Sequence, residues 1–452
     1  MISLEITDLA YGGRGVAKHH GKIAFVDNAL PGDIVSARIK RKKKSYIEAV
    51  AVALEKPSPF RQNPVCAHFG VCGGCKWQNY AYDRQLAYKA EQLKNQLVHL
   101  AGIAKPPVEP PIGARKIYYY RNKMEFSFMV GGDDGLVLGL HRSGSFHEIF
   151  QLDTCHLQSE LSNEIVRHVR AECLRSNLPA YDILNNSGLM RFLIVREGKH
   201  TGETMVIFVT SAEFAGHEKK LVDLCESTAA AFPAVGSLFW MINSRKANIA
   251  RWDMYPPGFS GGLVVGREYI CEKLGGYRFT ISPDSFFQTN SYQAQLLYDT
   301  VIEFAAPKKT DKVLDLYCGT GTIAIFLAGA DAQVIGVESE AKAVADARLN
   351  AAENGIANVE FICAPVERYI VGAEPADIVV VDPPRAGLHP KALEGILKLD
   401  TGKLVYVSCN PATLARDLRI FIENGFELKR TVAVDMFPHT YHIESVSLLL
   451  KK

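Results

Sequence analysis

Val313-Leu314-Asp315-Leu316-Tyr317-Cys318-Gly319-Thr320-Gly321-Thr322-Ile323-Ala324 decides the fold, because an apolar strand there runs into a glycine turn and then into the start of a helix. Gly319 and Gly321 let the backbone turn tightly and approach a ligand, while the free amides of the new helix face negative charge. The next strand, Val334-Ile335-Gly336-Val337-Glu338, ends in a carboxylate 19 residues after Gly319. This architecture puts the acceptor for ribose hydroxyls there. Together these features predict a nucleoside-cofactor site.

Downstream the rhythm continues as strand and helix: Lys312 to Leu316, Ile323 to Leu327, Gln333 to Glu338, Ala341 to Asn354, Val359 to Ile362, Asp377 to Val381 and Leu404 to Ser408. Such alternation implies a mainly parallel, Rossmann-like sheet covered on both faces. An NAD site would favour GxGxxG near the start of the chain. Here the fingerprint is late, and Asp382-Pro383-Pro384-Arg385 closes a later strand. A carboxylate on a rigid, non-helical loop at the sheet's carboxyl edge suits S-adenosylmethionine better.

One strand further, Val407-Ser408-Cys409-Asn410-Pro411 places a thiol at the same edge, with a helix reading onward from Pro411. Attack requires thiolate, and a helix N-terminus or a nearby cation favours it. Cys318 is the competing thiol, but inside the cofactor turn a small side chain is explanation enough. Cys409 leaves room for a substrate beside the cofactor. A proton acceptor for such chemistry is offered by Glu444, His439 or His442 in the C-terminal stretch 435–444, and composition does not choose among them.

Upstream, residues 1 to about 56 alternate β-branched runs with Gly and Pro turns, as a small antiparallel barrel requires. Net charge is only +2, yet residues 1 to 50 hold nine Lys or Arg against five Asp or Glu. Lys40-Arg41-Lys42-Lys43-Lys44 suits phosphate contact, and Tyr118-Tyr119-Tyr120-Arg121-Asn122-Lys123 adds aromatic rings to charge. A helix is expected over Tyr82 to Leu100. From about 117 to 285 the signals are mixed, with strands at Tyr118 to Val130, Leu136 to Leu140, Met190 to Val195 and Met205 to Thr210. Helical runs near Leu157 to Leu174 and His217 to Ala231 complete an α+β middle domain.

The chain has ten cysteines in 452 residues, too few for a disulfide scaffold. Cys66, Cys72 and Cys75 follow a C-x5-C-x2-C spacing with Gly73-Gly74 between the last two, a wrap that gathers thiolates on one metal centre. For the fourth ligand, spacing does not select Cys155 over Cys173 or His68. No run reaches the roughly 18 apolar residues of a membrane span, and Met1-Ile2-Ser3-Leu4-Glu5 lacks a signal-peptide pattern, so a cytoplasmic location is expected.

The segments Asp315 to Gly321, Asp382 to Arg385, Ser408 to Pro411 and Asp435-Met436-Phe437-Pro438 with Glu444 closely resemble the RNA uracil-5-methyltransferase family. The likeness extends over nearly the whole chain. It implies Cys409 as nucleophile adding to carbon 6 of uracil and Glu444 as acceptor of the carbon 5 proton. It also implies cofactor contacts from Gln288, Tyr317, Glu338 and Asp382, beside Gly319 of the glycine turn.

Tyr11-Gly12-Gly13-Arg14-Gly15-Val16-Ala17 and Ala29-Leu30-Pro31-Gly32-Asp33 look like a TRAM domain, which points to the ribosomal branch and to 23S rRNA. The resemblance selects Cys155 as fourth ligand and implies a [4Fe-4S] cluster acting as a covalent staple. The expected organisation is therefore a TRAM β-barrel over 1–57, a central α+β domain over 58–285 and a methyltransferase domain over 286–452. The expected species is a monomer with structured RNA as partner, no membrane and no obligate protein partner. Two rivals stay open: a tRNA uracil-5-methyltransferase, and a non-catalytic RNA-binding or ribosome-assembly factor.

Overall fold

Alternating buried and exposed side chains build the N-terminal runs into a six-stranded sheet in the computed structural model, which describes residues 1–452. Its strands are β1 (Ile2–Glu5), β2 (Asp8–Ala10), β3 (Arg14–His19), β4 (Lys22–Asp27), β5 (Ile34–Lys42) and β6 (Tyr46–Lys56), in the order β1-β5-β6-β4-β3-β2. Val35 and Ala37 of β5 and Ile47 and Ala49 of β6 meet Leu4, Ile6, Ala24 and Val26 in a small core. Register shifts along the β5–β6 pair bend these long strands around it. The basic run lies at their hairpin end, where Lys40 bridges to Asp27 at 2.8 Å and Arg41, Lys42 and Lys44 are exposed.

The cysteine loop leads into α1 (Tyr82–His99). Then follow β7 (Lys123–Val130), β8 (Leu136–His141), β9 (Ile149–Gln151), α2 (Glu160–Arg175), β10 (Met190–Glu197), β11 (Thr204–Thr210), α3 (Glu218–Ala231), β12 (Val235–Ile242) and β13 (Leu263–Gly266). The sheet runs β13-β12-β11-β10-β7-β8-β9. Leu193 and Val195 of β10 face the core under α2 and α3, whereas Phe192 and Ile194 face the C-terminal part. Period-2 alternation thus feeds two cores from one strand. The strand expected from Tyr118 begins only at Lys123, because Tyr119 takes a left-handed φ of 56° that ends any extended run.

The last part comprises β14 (Ile270–Leu274), β15 (Tyr277–Ile281), α4 (Ser291–Ala305), β16 (Lys312–Leu316), α5 (Thr322–Gly329), β17 (Gln333–Glu338), α6 (Ala341–Glu353) and β18 (Val359–Cys363). It continues with α7 (Val366–Tyr369), β19 (Ile378–Val381), α8 (Pro390–Lys398), β20 (Lys403–Ser408), α9 (Pro411–Glu423), β21 (Phe426–Val434) and β22 (Glu444–Lys451). Seven strands run β18-β17-β16-β19-β20-β22-β21 and are parallel except at β22, which is antiparallel to both neighbours. Val380, Val405 and Val407 face α4, α5 and α6, while Val379, Val381, Leu404 and Tyr406 face α8 and α9. A strand such as Ile378–Val381, β-branched throughout and buried throughout, is what a doubly covered parallel sheet demands.

Three pieces of the stretch expected to be the central domain belong by packing to this C-terminal unit. Helix α1 lies on α9 and β21. Residues 107–112 run parallel to β21, the Glu109 and Ile112 amides donating to the Thr431 and Ala433 carbonyls at 2.8 Å each. The β14–β15 hairpin docks on α6, where the Asn350 and Asn354 side-chain carbonyls accept from the Thr280 and Arg278 amides at 2.7 and 2.8 Å. Periodicity does not reveal these pieces, since the added strand is the proline-rich Pro106-Pro107-Val108-Glu109-Pro110-Pro111. No helix is long and apolar enough to cross a membrane.

Candidate active site

The glycine turn sits at the carboxyl end of β16. Gly319 (φ 54°) and Gly321 (φ 77°) are both left-handed, and a Cβ on Gly321 would lie 2.7 Å from the Phe361 ring and 2.9 Å from Ala347. Tyr317 shares that unusual conformation (φ 67°) without being glycine, held because its amide donates to the Val337 carbonyl at 2.9 Å. Glu338 closes β17 beside it, one carboxylate oxygen accepting from the Gly319 amide at 3.2 Å and the other from the Ser339 and Glu340 amides at 2.6 and 2.9 Å.

The loop 285–290 leans on this turn. The Thr320 hydroxyl donates to the Phe286 carbonyl at 3.4 Å, and the Asn122 amide group donates to the Gln288 carbonyl at 2.8 Å. Asp315, under the turn, is fully buried and neither carboxylate oxygen has a hydrogen-bond partner. Burial, with Asp382 nearby, pushes its pKa far above the carboxylate range. An orphaned acid beneath a glycine cradle fits a ligand that carries an ammonium group, as S-adenosylmethionine does.

Asp382, Cys409 and Glu444 meet at the next strand ends. Leu316 pairs with Val381 across β16 and β19, and Ser408 pairs with Ser445 across β20 and β22. Strand register alone therefore sets Asp382 beside the glycine turn and Cys409 opposite Glu444. Asn410 caps α9 by accepting from the Ala412 amide at 3.1 Å, and its side-chain amide donates to the Arg385 carbonyl at 3.1 Å. That bond ties the Asp-Pro-Pro-Arg loop to the thiol's own helix.

Electrostatically the three groups form one system. Burial raises the Asp382 carboxyl to about 7, and burial plus Asp382 holds the Glu444 carboxyl well above its usual range, against the pull of Arg385. Burial, then Glu444, then Asp382 push the Cys409 thiol up to about 11, with Arg385 opposing. Left to its own side chains, the crevice stores protons rather than negative charge.

The other candidate acceptors differ. Burial, aided by Arg385, lowers His442 to about 4, and burial lowers His439 to about 4. His439 is also stacked on Tyr118 with ring centroids 4.5 Å apart and bonded to Gln85, so it is part of the core. Imidazoles so depressed are weak bases, whereas the elevated Glu444 carboxylate is a strong one. Cys318 packs against Gly336 within the core. Sequence pattern assigns no role to Asp315 or Arg385, although a lone acid inside the apolar Val-Leu-Asp-Leu run is a signal.

Cys66, Cys72, Cys75 and Cys155 line one cavity of about 510 Å³, together with His68. Cys173 does not line it; that thiol lies in the core beneath α2. The Cys72 and Cys75 sulfurs accept from the Gly74 amide and the Gln78 side-chain amide, at 3.3 Å each. His68 Nε2 accepts from the Asp153 amide at 3.2 Å. Burial raises Cys75 to about 12, and the neighbouring thiols push the same way. No three His, Cys, Asp or Glu side chains gather tightly enough for a single metal ion. Burial raises the Cys72 and Cys155 thiols as well.

Of the aromatic run, Tyr120 is fully buried and donates to the Pro438 carbonyl at 3.1 Å, while Tyr119 is exposed. Only part of that run is free to meet a base.

The chain is similar to known proteins over its whole length. A methyltransferase-domain family model fits residues 307–441 and a TRAM-domain model residues 2–52. An uncharacterized RNA methyltransferase of Caldanaerobacter subterraneus is 38% identical over 459 residues, covering 100% of this chain and 99% of that one. Another, from Porphyromonas gingivalis, is 38% identical over 472 residues, with 99% of each covered. The crystal structure of Pyrococcus abyssi tRNA (uracil-54, C5)-methyltransferase in complex with S-adenosyl-L-homocysteine superposes with a TM-score of 0.79 at 30% identity, covering 99% of this chain and 100% of that one. The chain is thus an S-adenosylmethionine-dependent RNA methyltransferase, and it belongs to the RNA uracil-5-methyltransferase family.

Proposed function

We propose that this protein methylates carbon 5 of a uracil in structured RNA, with 23S rRNA as its substrate, through a transient bond between Cys409 and carbon 6 of the base. The observation that carries the reading is the placement of Cys409 opposite Glu444 across β20 and β22, one strand from Asp382. Cys409 thiolate adds to carbon 6, which moves an electron pair onto carbon 5. S-adenosylmethionine, when bound, supplies the methyl group that carbon 5 takes. Glu444 then removes the carbon 5 proton, the ring double bond reforms, and the carbon–sulfur bond to Cys409 breaks. Gln288, Tyr317, Gly319, Glu338 and Asp382 are the residues that would hold the cofactor.

The decisive experiment uses labelled S-adenosylmethionine and fractionated RNA. Cys409→Ala should abolish turnover, and Glu444→Gln should accumulate a denaturation-stable protein–RNA adduct. Methylation by Cys409→Ala at the wild-type rate would sink the covalent route.

A tRNA target is the second reading, supported by the Pyrococcus abyssi tRNA enzyme, whose whole length is matched, so that the TRAM barrel does not by itself separate the two substrates. Mapping labelled nucleotides in rRNA and tRNA decides between them. We also propose that Cys66, Cys72, Cys75 and Cys155 hold a [4Fe-4S] cluster that staples the segment before α1 to the loop before α2.

A further inference from the structure

The N-terminal barrel meets α1 and the loop before β22 through the β2–β3 turn, Tyr11-Gly12-Gly13. Gly12 (φ 94°) and Gly13 (φ 84°) are left-handed, and a Cβ on Gly13 would lie 3.3 Å from Trp77 Nε1. Leu9, at the base of the turn, is buried with Leu30, Trp77, Tyr80 and Tyr88. Its carbonyl accepts from the Tyr88 hydroxyl and from Gln92 Nε2, both on α1. The turn is therefore clamped to α1 and is not a loose tip.

Tyr11 itself lies outside that clamp and is 42% exposed. Its ring meets Tyr441 edge-on, with centroids 5.9 Å apart and planes at 79°, and Tyr441 in turn lies 4.4 Å from His442. Burial, with Tyr441 beside it, raises the Tyr11 phenol above its ordinary range. A rigidly held, half-exposed aromatic from the N-terminal barrel thus stands against Tyr441, in the loop that leads into Glu444. Leu9 and Leu30 already fill the interface, so packing does not require a tyrosine there.

We infer that Tyr11, backed by Tyr441, is a substrate-positioning lip on which a base beside the target uracil stacks as the strand enters the crevice. The inference rests on the uracil-methylation reading above. Stacking of this kind tolerates any base, and it links the barrel's grip on RNA to the reacting nucleotide.

Tyr11→Ala should raise KM for RNA roughly 5- to 100-fold and weaken RNA binding in parallel. Its S-adenosylmethionine affinity and melting temperature should stay at wild-type values, and Tyr11→Phe should restore RNA binding because the ring, not the hydroxyl, stacks. A direct readout uses wild-type protein: 2-aminopurine placed next to the target uracil should be quenched on binding. Wild-type KM in Tyr11→Ala, or no quenching in the wild-type complex, would overturn the lip. If the wild-type enzyme labels no uracil carbon 5, the uracil reading falls and takes the lip with it; if it labels uracil carbon 5 while Tyr11→Ala keeps wild-type KM, the lip alone falls.

Discussion

Lys89 and Asp435, 346 residues apart, form an ion pair at 2.6 Å with both side chains almost fully buried. Lys89 also donates to the Phe437 carbonyl at 3.0 Å, and the Tyr82 hydroxyl donates to the second Asp435 oxygen at 2.8 Å. Helix α1 is thereby bolted to the loop that delivers Glu444.

Breaking that pair should be costly, because the surviving partner is left charged and dry. Lys89→Met is expected to destabilise the protein by about 3–5 kcal/mol, whereas a double replacement of both partners by apolar residues recovers much of the loss. Urea denaturation midpoints check this; a single-variant loss under ~1 kcal/mol would show the pair to be incidental.

The Cys409 thiol, raised to about 11, is almost wholly protonated at neutral pH in the cofactor-free enzyme. Only thiolate reacts with iodoacetamide, so the alkylation rate should climb about tenfold per pH unit from 7 toward 10. Glu444 is the largest charge holding the thiol up, so Glu444→Gln should shift the profile to lower pH while burial keeps it above that of a free cysteine. A profile centred on an ordinary cysteine pKa would contradict the crowding of carboxyls at this site.

Gly321→Ala tests the cradle. The added methyl meets Phe361 at 2.7 Å and the backbone stays left-handed, so the turn must open. S-adenosylmethionine affinity should fall at least about tenfold by calorimetry, with stability reduced by roughly 1–3 kcal/mol.

The basic hairpin should act through phosphates. Replacing Arg41, Lys42 and Lys44, exposed in the free protein, with Ser should weaken RNA binding for all sequences alike. On single-stranded RNA the slope of log K against log salt should drop by about 0.7 for each phosphate that is no longer neutralised. An unchanged slope would make the run a solvated tip.

Anaerobically purified protein should carry iron and brown absorbance, and Cys75→Ser should lose both. Stoichiometric zinc without iron would replace the cluster by another metal chemistry. Loss of iron should also lower the melting temperature, since the cavity joins residues 66–75 to Cys155.

The glycine turn, Glu338, Asp382 and Cys409 were legible in the sequence because each stands at the end of a strand that announces itself by apolar, β-branched residues. The spacing of strands then fixed which edge they share. That Cys155 shares a cavity with Cys66, Cys72 and Cys75 was not legible from spacing, since 79 residues lie between Cys75 and Cys155 and only folding closes that gap. The allegiance of α1, residues 107–112 and the β14–β15 hairpin was hidden for a related reason. Their partners, α9, β21 and α6, lie in the chain's last third, and no local pattern records a distant surface. Tyr11 read as part of a barrel motif and nothing more, because its contact with Tyr441 comes from docking.

The edge strand at 107–112 and the hairpin at 270–281 bracket the β7–β13 sheet between two contributions to one catalytic body. That sheet is therefore an insert, looped out of an otherwise continuous reaction centre and returning to it. Its inner face is tied to the chemistry through Phe192, Ile194 and Asn122, which leaves the face under α2 and α3 as the side whose reshaping spares the reaction centre.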